Sequence, residues 1–180
     1  MNENKKKFLI VISGKQLSGK DTLAKILLQK LDNFKRIGIG DAIKIEYGKN
    51  HNLTIDEIEK NKAVYRNDLI KLGDQGRAIS DLFWLKKIID SGDYLIIPDL
   101  RLKKELEYFK KFNSFFIRVN SDLKNRQQRG KIVNANDLTE TDLDDISSWD
   151  FIVENNSDYN NLINQTDKLI KKLQETFLIQ

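Results

Sequence analysis

Between an apolar run, Phe8–Ile12, and the first stretch of helical periodicity lie the residues Ser13-Gly14-Lys15-Gln16-Leu17-Ser18-Gly19-Lys20-Asp21-Thr22. Gly14 and the pair Gly19-Lys20 have the spacing of a Walker A phosphate loop, and a strand before and a helix after are what that motif demands. Glycines let the backbone wrap an anion, while main-chain N–H groups and a helix N-terminus supply positive potential. Lys20 is then the residue that reaches the β- and γ-phosphates of a nucleotide and follows charge as it moves. Gly14, Ser18, Gly19, Lys20 and Thr22 are the expected nucleotide contacts. Asp21 stands where the motif usually has Ser or Thr as a magnesium ligand. It can hold Mg²⁺ directly or through water. Alternatively, Thr22 assists, or Asp21 is only a first-turn carboxylate favoured by the helix dipole.

The rest of the chain repeats the strand and helix alternation. Short apolar runs at Phe8–Ile12, Ile37–Ile39, Tyr94–Ile97, Phe115–Val119 and Phe151–Val153 have the length and flanks of buried strands. Leu23, Ile26, Leu27 and Leu31 form one apolar helical stripe, and Leu162, Leu169, Leu173 and Phe177 a looser one. The expected fold class is therefore α/β: a P-loop NTPase fold with a five-stranded parallel sheet and helices on both faces. The segment 42–90 is too long for a simple crossover. It reads as a helical insertion on the substrate side, with helices at Ile55–Lys60, Lys62–Leu72 and Leu82–Ile89. With 180 residues, one proline and no repeat or low-complexity tract, the chain reads as a single domain, 1–180.

Composition narrows the chemistry. The chain has no cysteine, which excludes disulfides, thiolate metal sites and a cysteine nucleophile. Its apolar run near the N-terminus is too short for a secretory signal or a spanning helix, so a cytoplasmic protein without a membrane partner is expected. The net charge is only +4, but it is unevenly spread. Ten basic and three acidic residues lie between Arg101 and Lys131, and six acidic and no basic ones from Asp137 to Asp150.

Two basic groups follow strand ends, where ligands bind in open α/β sheets. Tyr94-Leu-Ile-Ile-Pro-Asp99-Leu-Arg101 delivers an acid for Mg²⁺ or an acceptor and an arginine for phosphate oxygens, unless the two simply pair with each other. Arg126-Gln-Gln-Arg129-Gly130 opens a helix-like run ending at glycine, and residues 126–140 read as a mobile lid. Arginines three apart share a helix face and can both grip a polyphosphate. Lys44 is expected at the end of the second strand, and Lys62, Arg66 and Arg77 fall in the insertion, where a second phosphate would bind. Asn155-Asn156-Ser157 reads as a polar turn near an adenine site, or as a cap for the last helix.

These residues resemble the animal-type phosphomevalonate kinases, relatives of the nucleoside monophosphate kinases. The likeness runs through Ser13-Gly-Lys15, Ser18-Gly-Lys20-Asp21, Lys44-Ile-Glu46-Tyr47, Arg66-Asn-Asp68-Leu-Ile70, Gly73, Arg77 and Asp99-Leu-Arg101. It continues through Arg126-Gln-Gln-Arg129-Gly130 and Trp149-Asp150-Phe-Ile-Val-Glu154-Asn155. The resemblance implies transfer from ATP-Mg²⁺ to 5-phosphomevalonate. It puts phosphate-loop roles on Lys15 and Lys20, phosphoryl stabilisation on Arg101 and Arg126, a nucleotide contact on Arg129 and acceptor recognition on Arg77. The family usually carries basic residues where this chain has Gln16 and Leu17, and a second arginine where it has Leu102.

A nucleoside or deoxynucleoside monophosphate kinase is the nearest alternative, with Tyr65, Phe83 and Trp84 as candidate base contacts. A non-catalytic nucleotide switch or a nucleic-acid-binding module is a further class suggested by the pI near 9.1. No groove-reading or RNA-binding aromatic motif accompanies the charge, so ATP and a small phosphorylated acceptor are the expected partners, not nucleic acid. A monomer or weak dimer is expected.

Overall fold

A computed structural model describes residues 7–177; the side chain of Phe177 lies outside what it describes, as do residues 1–6. Among the described residues five parallel strands form one sheet in the order β2-β3-β1-β4-β5. They are β1 (Phe8–Ser13), β2 (Lys35–Arg36), β3 (Tyr94–Leu100), β4 (Asn113–Asn120) and β5 (Phe151–Glu154). All six residues of β1 are buried, as the middle strand of a sheet covered on both faces requires. Alternation divides them. Phe8, Ile10 and Ile12 join a core with Phe115, Ile117, Val119 and Val153, closed by Leu23 and Leu27 of α1 (Lys20–Lys30) and by Leu162, Leu169 and Leu173 of α9 (Tyr159–Phe177). Leu9 and Val11, with Leu95 and Ile97, point the other way and are fully buried.

Pro98 lies inside β3, a position that costs a ladder hydrogen bond. The register absorbs it: Val11 faces Ile97 but Ser13 faces Leu100, so one strand carries an extra residue there. The irregularity falls where β1 gives way to the phosphate loop and β3 delivers Asp99.

Contacts divide the chain into two compact units, residues 37–93 and the remainder. The smaller unit is helical: α2 (Ile39–His51), α3 (Ile55–Lys60), α4 (Lys62–Ile79) and α5 (Phe83–Ile89). Thr54 caps α3 in a capping box with Glu57, its Oγ1 accepting from the Glu57 N–H at 3.2 Å. Trp84 is buried, donates from Nε1 to the Gly73 carbonyl at 3.0 Å, and packs so closely on Gly76 that a Cβ there would lie 2.5 Å from that nitrogen.

Two sequence expectations are corrected here. The second strand is Lys35–Arg36, not Ile37–Ile39. Gly38 is already the extended N-cap of α2, and its N–H donates to the Asp41 carboxylate at 3.0 Å, so the apolar run marks burial at a helix entry. Lys44 consequently sits inside α2 and does not follow a strand. Likewise α4 does not end at Leu72 but continues to Ile79 through two glycines, because the close packing of Trp84 requires helix there at the ordinary cost of about 1 kcal/mol per glycine. Among the described residues no helix is long and apolar enough to cross a membrane.

Candidate active site

The phosphate loop is held in shape by contacts that forbid larger residues at its two key glycines. A Cβ on Gly14 would lie 2.5 Å from the Val119 carbonyl, and one on Gly19, whose φ is 102°, would strike the side-chain amide of Asn155. Leu17 between them adopts a left-handed φ of 62°. Asn155, buried at the end of β5, donates from its amide to the Ser18 carbonyl at 2.7 Å. The Ser18 hydroxyl is buried and has no hydrogen-bond partner among the described residues. An unanswered donor inside a loop of this shape suits a phosphate oxygen.

Lys20 opens α1 and is only 5% exposed. Its ammonium donates to the Lys15 carbonyl at 2.9 Å. Burial, and then the neighbouring Arg101 guanidinium, lower its pKa from 10.5 to about 8 against the opposing pull of Glu140, Asp21 and Asp99. The lysine, both candidate metal carboxylates and Arg101 therefore share one electrostatic neighbourhood. Asp21 is exposed and pairs with Arg36 at 2.7 Å, while Thr22 lies exposed on the same turn.

Arg101 leaves β3 and turns into α6 (Lys103–Phe109). Glu105 accepts from the N–H groups of Arg101 and Leu102 at 2.8 and 3.0 Å, which fixes the backbone at that corner. Burial pushes the Glu105 carboxyl up despite those two donors. The Arg101 guanidinium pairs with Glu140 on α8 (Leu138–Thr141), not with Asp99. On α7 (Leu123–Arg129) both arginines turn to main-chain oxygens. Arg126 donates to Ser121 at 3.1 Å and Gln16 at 3.4 Å; Arg129 donates to Leu17, Ser18 and Asn155.

Sequence reasoning missed three participants besides Glu105. Arg118 on β4 is largely buried, donates to Ser13 Oγ at 3.1 Å and pairs with Asp144 at 3.2 Å. Glu140 is buried and also accepts the Gln16 N–H at 2.8 Å. Asp144 holds Lys15 at 2.6 Å. Only the acidic run from Asp137 onward hinted at the last two, and Glu105 was hidden because Leu102 occupies a capping position where Ser or Thr would have announced it.

The larger unit thus gathers Gly14, Lys15, Ser18, Gly19, Lys20, Asp21, Thr22, Asp99, Arg101, Arg126, Arg129 and Asn155. The remaining candidates gather in the helical unit, where Lys44, Lys62, Arg66 and Arg77 line one cavity of about 320 Å³. Lys44 pairs with Asp41 and Glu59, and Arg77 with Asp74 at 2.6 Å.

A family model described as phosphomevalonate kinase matches residues 12–115, from the end of β1 through the helical unit and β3 into β4. The chain belongs to the phosphomevalonate kinase family. Like other phosphomevalonate kinase family members, it is a small-molecule kinase, an ATP-dependent phosphotransferase with a phosphate group as acceptor. Solved structures agree on the P-loop kinase fold. Shikimate kinase from Aquifex aeolicus is 18% identical with a TM-score of 0.54, over 96% of this chain and 99% of that one. Shikimate kinase from Acinetobacter baumannii is 13% identical with a TM-score of 0.58, over 98% and 97%. The Mycobacterium tuberculosis APS kinase, solved with AMPPNP and APS, is 14% identical with a TM-score of 0.50, over 94% and 99%.

Proposed function

We propose that this kinase transfers the γ-phosphate of ATP to the phosphate of 5-phosphomevalonate, as the animal-type members of its family do. The observation that carries the acceptor is the lining of the helical unit's cavity: four cations around Ile43, Leu69 and Ile70, with no aromatic side chain among them. Such a lining suits a small aliphatic polyanion. A nucleobase asks for stacking, and the aromatic candidates are engaged elsewhere. Tyr65 packs on Tyr47 at 5.8 Å, Trp84 is buried against Gly73 and Gly76, and Phe83 lines a different cavity.

An acceptor phosphate oxygen is already an anionic nucleophile, so the protein needs to align and neutralise, with no general base. The oxygen bonds to the γ-phosphorus as the bond from that phosphorus to the β–γ bridging oxygen breaks, and ADP leaves. Lys20 and Arg101 answer the charge on the moving group, with Lys15 and Arg126 beside them. Gly14, Ser18, Gly19 and Thr22 cradle the phosphates, and Arg129 and Asn155 hold that cradle from the nucleotide side. Lys44, Lys62, Arg66 and Arg77 receive the acceptor. Asp21 and Asp99 both act on Lys20, so two oxygen donors lie near the residue that meets the phosphates. That donor set fits Mg²⁺, which binds one or two carboxylates together with phosphates and water. When bound, the ion neutralises phosphate charge.

The test is coupled ADP release with phosphomevalonate offered beside a panel of ribo- and deoxynucleoside monophosphates. Turnover confined to phosphomevalonate is expected. Turnover confined to a nucleotide would move the acceptor assignment to the alternative.

A further inference from the structure

The acidic run from Asp137 to Asp150 is unexplained by the chemistry above, yet it sits on that chemistry's donors. Glu140 accepts the phosphate-loop N–H of Gln16 at 2.8 Å and pairs with Arg101. Asp144 pairs with Lys15 at 2.6 Å and Arg118 at 3.2 Å. A main-chain amide of the loop, two arginines and a lysine are thereby answered by two carboxylates of one short segment. These are the donor types that grip phosphate.

The segment also fills the space. The cavity bounded by Gly14, Arg101, Arg118, Glu140 and Leu143 measures about 10 Å³. That is about the space one water molecule needs. A phosphoryl group is larger than one water, so none enters without movement of this lining, Glu140 included. A clasp completes the closure: the Gln16 side chain donates to the Val133 carbonyl at 2.6 Å and accepts from the Val133 N–H at 3.2 Å. The loop thus carries a neutral side-chain fastening to the segment after α7.

We propose that Glu140 and Asp144 are an internal anion latch, positioning residues that hold Arg101, Lys15, Arg118 and the Gln16 amide in a phosphate-binding arrangement and yield them to the incoming phosphates. The inference rests on reading the loop as the nucleotide site, but not on the identity of the acceptor. Holding Lys15, Arg101 and Arg118 with carboxylates keeps three mutually repelling cations in place, and the exchange makes ATP binding a competition. Removing a latch charge therefore tightens polyphosphate binding, whereas removing a carboxylate whose only role is structural weakens it.

The experiment measures affinity of the full chain for ATP and for inorganic tripolyphosphate, in the wild type, Glu140→Gln and Asp144→Asn. The Trp149 ring lies 5.6 Å from the Arg118 guanidinium, so its fluorescence reports release of Arg118 from Asp144, and Trp149→Phe identifies that signal. Glu140→Gln is expected to bind both probes about tenfold tighter, and Asp144→Asn several-fold tighter, with a lowered KM for ATP and no gain in kcat. ATP is expected to change the Trp149 signal in the wild type and less in Asp144→Asn. Should Glu140→Gln not fold, Asp144→Asn decides alone, because Asp144 is 43% exposed. Equal or weaker affinity in folded variants overturns the latch while the nucleotide site stands. Failure of the wild type to bind ATP overturns the nucleotide reading and the latch with it.

Discussion

The guanidinium of Arg129 donates to the main-chain oxygen of Asn155 at 2.7 Å, and the side-chain amide of Asn155 donates to Ser18 at 2.7 Å. Because Arg129 also reaches the oxygens of Leu17 and Ser18, one arginine ties α7, the end of β5 and the phosphate loop together. Arg129→Ala should lower the unfolding free energy by roughly 1–3 kcal/mol, the scale for leaving part-buried acceptors unpaired. A shift of the urea midpoint with an unchanged slope would show it. A midpoint within error of wild type would mean that water replaces the guanidinium freely.

Lys20 predicts a pH dependence with a definite sign. Its pKa is about 8 when folded and 10.5 as the reference for the unfolded chain. Below pH 8 both states hold the proton, and the full cost of burying the charge is present. Between the two values the unfolded chain binds more protons, so this residue's contribution to stability rises with pH, by at most roughly 3 kcal/mol. Denaturation followed from pH 7.5 to 10 in wild type and Lys20→Met isolates the term, since the methionine variant lacks it.

The same shift reaches binding. ATP brings negative charge to a lysine that is mostly neutral near pH 8.5, so its binding there should draw a proton from solution. Calorimetry in buffers of different ionisation enthalpy counts that proton in the wild type and should find none in Lys20→Met. Binding without proton uptake in both would mean that Lys20 is already fully charged at that pH.

Charge neutralisation predicts the kinetic pattern for the transferring group. Lys20→Ala and Arg101→Gln should each cut kcat by roughly 10²–10³-fold, the scale for one electrostatic stabiliser. Near-normal turnover in folded Lys20→Ala would remove the basis for the phosphate-loop mechanism.

Acceptor recognition predicts a different split. Arg66 lines the helical unit's cavity and has no ion-pair partner among the described residues. Arg66→Gln should raise KM for the phosphorylated acceptor by roughly tenfold or more, the loss of one hydrogen bond to a charged group, with KM for ATP unchanged. Steady-state kinetics with each substrate varied in turn separates the two.

Much of the fold was legible because strands and helices announce themselves by local period. The runs at Phe8–Ile12, Tyr94–Ile97, Phe115–Val119 and Phe151–Val153 all lie within strands, and α3 spans Ile55–Lys60 as expected. Ile37–Ile39 misled because burial at a helix entry and burial in a strand look alike over three residues. The extent of α4 was illegible because Gly73 and Gly76 mark a helix end by propensity, and only Trp84, packed against them, overrides it.

What the sequence alone determined is the order strand, glycine loop, helix at Gly14–Lys20 and the presence of arginines after later strands. These depend on neighbours within a few positions, where spacing and backbone sterics suffice. Which groups those arginines meet was decided only by tertiary structure. Arg101 and Glu140 are 39 positions apart, and Gln16 and Glu140 are 124 apart. Their meeting depends on the parallel stacking of β3, β1 and β4, and no local period encodes a contact made across a sheet.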